Sequence, residues 1–443
     1  MNVDGRSRHI FEHRRDQRGN AARDAMRQRA AVLQLAAVLL MGCEIRLDRR
    51  AEPRVLTFAG SAVGREADVL RTQLARFERE TGLRVDIRST PDAADVRHQL
   101  YVQWLNAHVP DPDVLQLDVI WTPEFAAAEW VLPLDRFEPQ VSDFVPAAVA
   151  ANRWNGSLYA LPWFIDVGML YWRTDLNKAP PADFAELRAQ AARRSLPAGL
   201  VWQGARYEGL VTVFLEYLGG FGGRILDQDG RVVVDAEPAV RALEYMHDSI
   251  HAHGTVPMDV LAWQEEQTRF AFQNGRAMFM RNWPYAVALL RDPAQSKVAG
   301  RFAVAPMPAG PAGPSTAALG GSQLAINARS DQPEAAYALV EYLLEPEQML
   351  ERARGVGQYP ARLALYESDA LGTSLGVPAR DILRIVERAT PRPVTPIYTE
   401  LSEILQVHLH RALTRQSAPR EALHAAAAEM RAALDRSGLA AEP

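Results

Sequence analysis

The chain has 443 residues, 48% of them hydrophobic and 23% charged, with a formal net charge of −5. That length leaves room for two or three domains and a sizeable core, and the negative balance argues against a nucleic-acid partner. The single cysteine, Cys43, excludes an intramolecular disulfide and any cysteine-based metal cluster.

Residues 1–25 are polar and charged, without periodicity. Arg27 and Arg29 then precede an apolar run from Ala30 to Met41, interrupted only by Gln34 and followed by Gly42 and Cys43. A basic start, a short apolar stretch and a small residue read as a secretory signal. The run is too short to span a membrane comfortably. Leu40-Met41-Gly42-Cys43 resembles the bacterial lipobox, which implies that Cys43 becomes a lipidated first residue. The expectation is a leader and signal peptide over 1–42, with Met26 as its effective start, and a charged tether over 43–53.

Val55-Leu-Thr-Phe58 predicts a strand, followed by a Gly60/Ser61/Gly64 loop. A helix runs from there to about Thr81, with Leu70, Leu74 and Phe77 on one face and Gly82 as its stop. Arg84 to Arg88 alternates like a strand, about Asp95 to Asn106 like a helix, and Val114 to Asp118 forms a third strand. Strands alternating with helices predict an α/β fold with a parallel, doubly wound sheet. Such sheets bind ligands at the carboxyl ends of their strands, which places Glu66 and Asp118 on the ligand edge.

Tyr159 to Asp175 reads as an extended segment broken once by Pro162, with five aromatic residues around Asp166. Apolar walls with one carboxylate suit a ligand that has both CH faces and hydroxyls, such as a sugar. Further on, Tyr207-Glu208-Gly209-Leu210 opens a helix that ends at Gly219-Gly220. Val232-Val-Val234 predicts a small strand after the Asp229-Gly230 turn. Gln264 to Gln273 predicts a helix leading to Arg281-Asn-Trp-Pro-Tyr285. A Pro/Gly-rich loop covers 306–314, a strand Leu319 to Ile326, and a helix Pro333 to Leu344. Two C-terminal helices follow, Leu401 to Leu413 and Pro419 to Arg436, the second capped by Ser417 and stopped by Gly438.

Several of these stretches, in this order, resemble a known family. They are Asp113 to Trp121, Ala160 to Tyr171, Gln203 to Leu210, Arg281 to Tyr285, Ala318-Leu-Gly-Gly321, and Arg392 to Tyr398 with Leu401-Ser-Glu-Ile404. Together they make the mature chain similar to the solute-binding proteins of ATP-driven sugar importers, in particular the trehalose/maltose-binding branch of the maltose-binding-protein-like family. The resemblance implies a two-lobe periplasmic-binding-protein fold of type II with a ligand cleft between the lobes and helices at the C-terminus. The first lobe is expected over 54–160 and 301–348, and the second over 161–300 and 349–443. It also implies a monomer without cofactor or metal, exported and lipid-anchored. Such a protein closes around a disaccharide and delivers it to membrane permease subunits of an ABC transporter.

The residues matching the family's ligand contacts are Glu66, Arg97, Asp118, Asp166, Tyr207, Glu208, Trp283, Tyr285, Gly320, Gly321 and Arg392. A carboxylate accepts hydrogen bonds from vicinal hydroxyls, and an arginine donates in a planar fork. Simpler readings stay open at this stage. Glu66 and Glu208 also suit helix N-termini, Asp118 suits a turn cap, Arg97 a solvated helix face, and Trp283 a core. Phe164 stands where the branch has tyrosine, and Ser322 where it has tryptophan, so the sugar specificity is expected to differ. A glycosidase would need two carboxyl groups flanking one bond. No acid here lies in a motif that reads as a poised general acid, and no Gly-x-Ser-x-Gly elbow or metal-spaced histidine pair occurs. A binding protein that reports to a membrane sensor would share every feature.

Overall fold

The computed structural model describes residues 55–439, apart from 62–63, 92–93, 194–195 and 314. The leader, the tether and Cys43 lie outside the described residues. The strands are β1 Val55–Ser61, β2 Arg84–Thr90, β3 Val114–Asp118, β4 Arg153–Trp154, β5 Ser157–Leu158, β6 Ala160–Val167, β7 Met169–Arg173, β8 Ala198–Val201, β9 Ala277–Asn282, β10 Phe302–Ala305, β11 Ala317–Ile326, β12 Tyr359–Pro360 and β13 Ala389–Thr390. The helix Gly64–Thr81 packs Leu70, Leu74 and Phe77 into the core, each at most 3% exposed. Each such side chain contributes about 1.5–3 kcal/mol by leaving water. Gly82 ends that helix at φ 76, its N–H returning to the Glu78 carbonyl at 2.9 Å.

Two main sheets carry the fold. The larger runs β12-β6-β11-β3-β1-β2, with β13 beside β11; the smaller runs β10-β7-β9-β8. The expected parallel sheet is mixed. β1 pairs in parallel with β2 and β3, but β11 is antiparallel to both β3 and β6. The connections supply the reason. β6 leaves the larger sheet at its carboxyl end, through Gly168, straight into β7 of the smaller sheet. β11 comes back at that same end and must run the opposite way.

Sheet membership also moves the expected lobe limits. β6 belongs to the larger sheet, so the crossing is at Gly168 and not at 160–161. β10 still pairs with β7, so the return falls between Ala305 and Ala317. β12 pairs with β6, and the helix Pro346–Val356 packs on Gly64–Thr81, so the chain is still with the larger sheet near residue 360. The C-terminal helices Tyr398–Leu413 and Pro419–Arg436 pack against Glu208–Gly220 and Glu237–His251 on the other side.

Three local expectations are corrected. Pro162 lies inside β6, where the pairing jumps from Ser322↔Phe164 to Gln323↔Pro162 and leaves Trp163 as the extra residue. A bulge of this kind tolerates the missing N–H of a proline, and the segment breaks at Gly168 instead. Val232 makes one isolated bridge to Leu226 and no strand, because the chain turns after Val233, the Ala236 N–H bonding back to the Val233 carbonyl at 3.1 Å, and enters the helix Glu237–His251. The last helix is capped by Ala418, whose N–H donates to Glu421 at 3.5 Å, rather than by Ser417.

Candidate functional site

Side chains two apart on a strand share a face. On β3 this puts Gln116 with Asp118, and on β6 it puts Phe164 with Asp166. Pairing with β11 sets Ser322 between Asp118 and Phe164, and Gly320 beside Asp166. Glu66 stands in the first turn of the helix that follows β1. These residues meet at the edge facing the smaller sheet. There Glu66, Arg97, Asp118, Phe164, Asp166, Tyr285, Gly321 and Ser322 line a cleft of about 260 Å³. Its remaining walls are Gln116, Val356, Gly357 and Gln358.

The cleft is rich in carboxylates. Burial, then the charges of Glu66 and Asp118, push the Asp166 carboxyl up to about 7. Asp118 Oδ1 accepts from the Ile120 N–H at 3.2 Å and from Arg392 Nη2 at 3.4 Å. Asp118 thus caps the turn after β3 and also pairs with Arg392 beside the cleft.

Arg392 is 8% exposed. Its Nη1 donates to Glu208 Oε1 at 2.8 Å, and its Nη2 also reaches the Leu319 carbonyl at 3.3 Å. Burial acts to lower its pKa, but the neighbouring Asp118 and Glu208 outweigh it and hold the guanidinium more firmly charged than usual. Glu208 further accepts from the Tyr398 hydroxyl at 2.7 Å and from the Ser402 hydroxyl. Both of its oxygens are thus engaged by protein donors. Glu208 reaches the cleft through Arg392 and is not in its wall.

Trp283 and Tyr285 follow β9. The Trp283 carbonyl accepts from the Tyr171 hydroxyl at 2.6 Å, and its indole N–H donates to Glu265 at 3.3 Å. Tyr285 donates to Glu266 at 2.7 Å. The Tyr207 hydroxyl faces Glu265 as well; burial and that carboxylate hold its pKa far above the ordinary range. The paired glycines have steric reasons. A Cβ on Gly320 would lie 3.3 Å from Asp166 Cβ and 3.5 Å from Trp283 Cζ3. Gly321 adopts φ 108, and a Cβ there would fall 2.2 Å from the Phe164 carbonyl.

Arg97 donates to the Pro91 carbonyl at 3.1 Å and lies 5.3 Å from the Trp121 ring. Ser322 accepts from Gln116 Nε2 at 2.9 Å. Behind Phe164 sits Arg352, 3% exposed and 3.9 Å from the Trp163 ring. Burial, opposed by Glu66, pushes it down to about 10. It donates to Gln358, and Gln358 donates to Glu66 at 3.3 Å. Sequence reasoning missed Gln116, Gln358, Glu265, Glu266 and Arg352. Only Gln116 carried a local signal, two residues before Asp118 on the same strand face.

Acceptor carboxylates, forked donors and aromatic faces converge here, a set suited to a ligand rich in hydroxyls. Residues 64–350 match the model of the bacterial extracellular solute-binding proteins.

The chain belongs to that family.

This solute-binding protein is 36% identical over 410 residues to a probable ABC transporter-binding protein of Deinococcus radiodurans, covering 88% of this chain and 96% of the relative. Its structure is similar to maltose-bound MalE3 of T. maritima, with a TM-score of 0.76 and 40% identity over 85% of this chain and 98% of the other. It is also similar to the GacH receptor of Streptomyces glaucescens, solved with acarbose, with a TM-score of 0.75 and 26% identity over 86% and 98%. The fold is therefore the two-lobe periplasmic-binding-protein fold, with the two sheets in its lobes. The protein is a binding protein of the extracellular family and not an enzyme. Among the described residues, no helix is long and apolar enough to cross a membrane.

Proposed function

We propose that the protein captures an α-glucosidic disaccharide of the trehalose or maltose type and delivers it to the permease of an ABC importer. The observation that carries this reading is the convergence of Glu66, Asp118, Asp166 and Arg97 on one cleft, with Arg392 locked onto Asp118 at its side. Similarity to a maltose-bound structure at 40% identity supports the substrate class. Trp283 and Tyr285 supply the aromatic faces, and the Gly320-Gly321 backbone allows close approach. Phe164 brings no hydroxyl, and Ser322 is tied to Gln116. Selection among disaccharides is therefore broader than with an aromatic wall at 322. The two lobes close on the sugar by a hinge motion. Lipid on Cys43 holds the monomeric protein at the membrane beside its permease.

Calorimetry of the domain from about residue 51 onward against trehalose, maltose and unrelated solutes tests the reading. Saturable binding of either disaccharide, with a smaller radius in X-ray scattering, is expected. Binding only of amino acids, peptides or metals overturns it.

A further inference from the structure

Behind the cleft lies a buried pair of charges that forms no part of the cleft wall. Glu216, in the helix Glu208–Gly220, and Arg281, on β9, each have side chains only 1% exposed. Arg281 Nε donates to the two Glu216 oxygens at 3.1 and 3.0 Å, and Nη2 adds a bond at 2.5 Å. Its Nη1 donates to Gln203 at 3.2 Å, and Gln203 returns a bond to the Arg281 carbonyl at 3.1 Å. Burying an ion pair is seldom the most stabilising use of a core position, because desolvation offsets most of the attraction. Such a pair is better suited to fixing geometry, and its surroundings show which geometry it fixes.

The pair sits where the chain crosses between the sheets. The Ala318 N–H of β11, in the larger sheet, donates to Glu216 Oε1 at 3.2 Å. One carboxylate thus joins strands of both sheets. Gly168, the single residue between β6 and β7, donates its N–H to the Ala318 carbonyl at 3.1 Å. A methyl group on Gly168 would lie 1.7 Å from Glu216 Oε1 and 2.4 Å from Arg281 Nη2. The ion pair fills the space that the glycine leaves. On its other side, the Arg281 guanidinium lies 4.0 Å from the Trp283 ring centroid. Trp283 in turn flanks Gly320: a methyl group on that glycine would lie 3.5 Å from Trp283 Cζ3.

We propose that Glu216 and Arg281 are positioning residues for ligand capture, seating Trp283 from behind and keying its ring to the β6–β7 and β10–β11 crossings. This rests on the reading of Trp283 as a sugar platform. The guanidinium face holds the indole by cation–π attraction, while the shared carboxylate ties that guanidinium to β11. A shift at the crossing is then transmitted to the ring through two rigid contacts.

Removing Arg281 alone would strand a buried charge, so the test replaces both partners with neutral residues of similar size, E216Q with R281M. The swap is made in wild type and in a Trp283→Ala background, and maltose affinity is measured in all four proteins. Fluorine NMR of 5-fluorotryptophan protein, with the Trp283 signal assigned by Trp283→Phe, reads the ring without ligand. The swap is expected to move the Trp283 resonance and to weaken maltose binding about ten-fold in wild type, the effect of about 1.4 kcal/mol. In the Trp283→Ala background it should change affinity less than about two-fold, because the contact is already gone. Equal losses in both backgrounds, or an unmoved Trp283 resonance, overturn the proposal. If wild type binds no maltose, the substrate reading fails separately, and the fluorine signal alone decides.

Discussion

Replacing Asp166 with asparagine tests the electrostatics of the cleft most directly. The wild-type carboxyl is carried from its ordinary 3.8 to about 7, first by burial and then by Glu66 and Asp118. A displacement of that size costs the charged form about 4 kcal/mol. Part of the side chain still meets water, so about 2–4 kcal/mol is the range expected in the protein. The unfolded chain gives up this proton near the ordinary value, whereas the folded chain keeps it to about 7. Between those limits the folded state binds more protons, so its stability falls as pH rises, and the whole cost is present above the folded pKa. The asparagine side chain cannot ionise and escapes that cost. Urea unfolding of ligand-free protein should therefore show wild type and Asp166→Asn nearly equal at about pH 4 and the variant more stable by about 2–4 kcal/mol at about pH 8. The same variant should bind disaccharide more weakly by about 1–3 kcal/mol, having lost a charged acceptor. A stability gap that does not change with pH, or a wild type more stable at the alkaline end, refutes the reasoning.

Further predictions follow from single contacts. Gly321→Ala should destabilise the protein by about 2–4 kcal/mol in thermal unfolding, combining a positive φ with a Cβ pressed against the Phe164 carbonyl. Arg392→Lys keeps the charge but cannot span Glu208, Asp118 and the Leu319 carbonyl together. Calorimetry should show sugar affinity lower by about 1–3 kcal/mol. Cys43→Ser should move the protein from the membrane to the soluble fraction of its cells, and mass spectrometry of the native form should find lipid on Cys43.

The first half of the larger sheet was legible because its signals are local. Leu70, Leu74 and Phe77 recur at helical spacing, Gly82 stops the helix, and Val114 to Asp118 is bounded by turn residues. The direction of β11 was not legible, because it depends on where the chain leaves and re-enters the sheet, at Gly168 and Ala317, two points far apart in sequence. Pro162 misled because a proline normally ends a strand, and only the bulge opposite Gln323 makes room for it. The cleft acids Asp118 and Asp166 could be placed because strand ends and aromatic neighbours mark them. Glu208 was placed near the site, yet its engagement with Tyr398 and Ser402 depends on a helix almost two hundred residues away. Gln358 and Arg352 carry no signature of their own, since a glutamine or arginine beside a helix end is ordinary until its partners are known.

The position of β11 governs when the molecule can fold. It is the strand between β3 and β6 in the larger sheet. Until residues 317–326 have been made, β3 and β6 present bare edges with nothing to join them. A nascent chain ending before Ala317 therefore carries two adhesive strand edges and cannot complete its central sheet. Closing contacts of such long range is slow, so the larger sheet is completed late. For a protein that acts outside the cytoplasm this delay has a use, because a chain that has not yet folded can still be threaded through a membrane. The same strand sets a practical limit: fragments cut before residue 327 should aggregate rather than fold as half a binding protein.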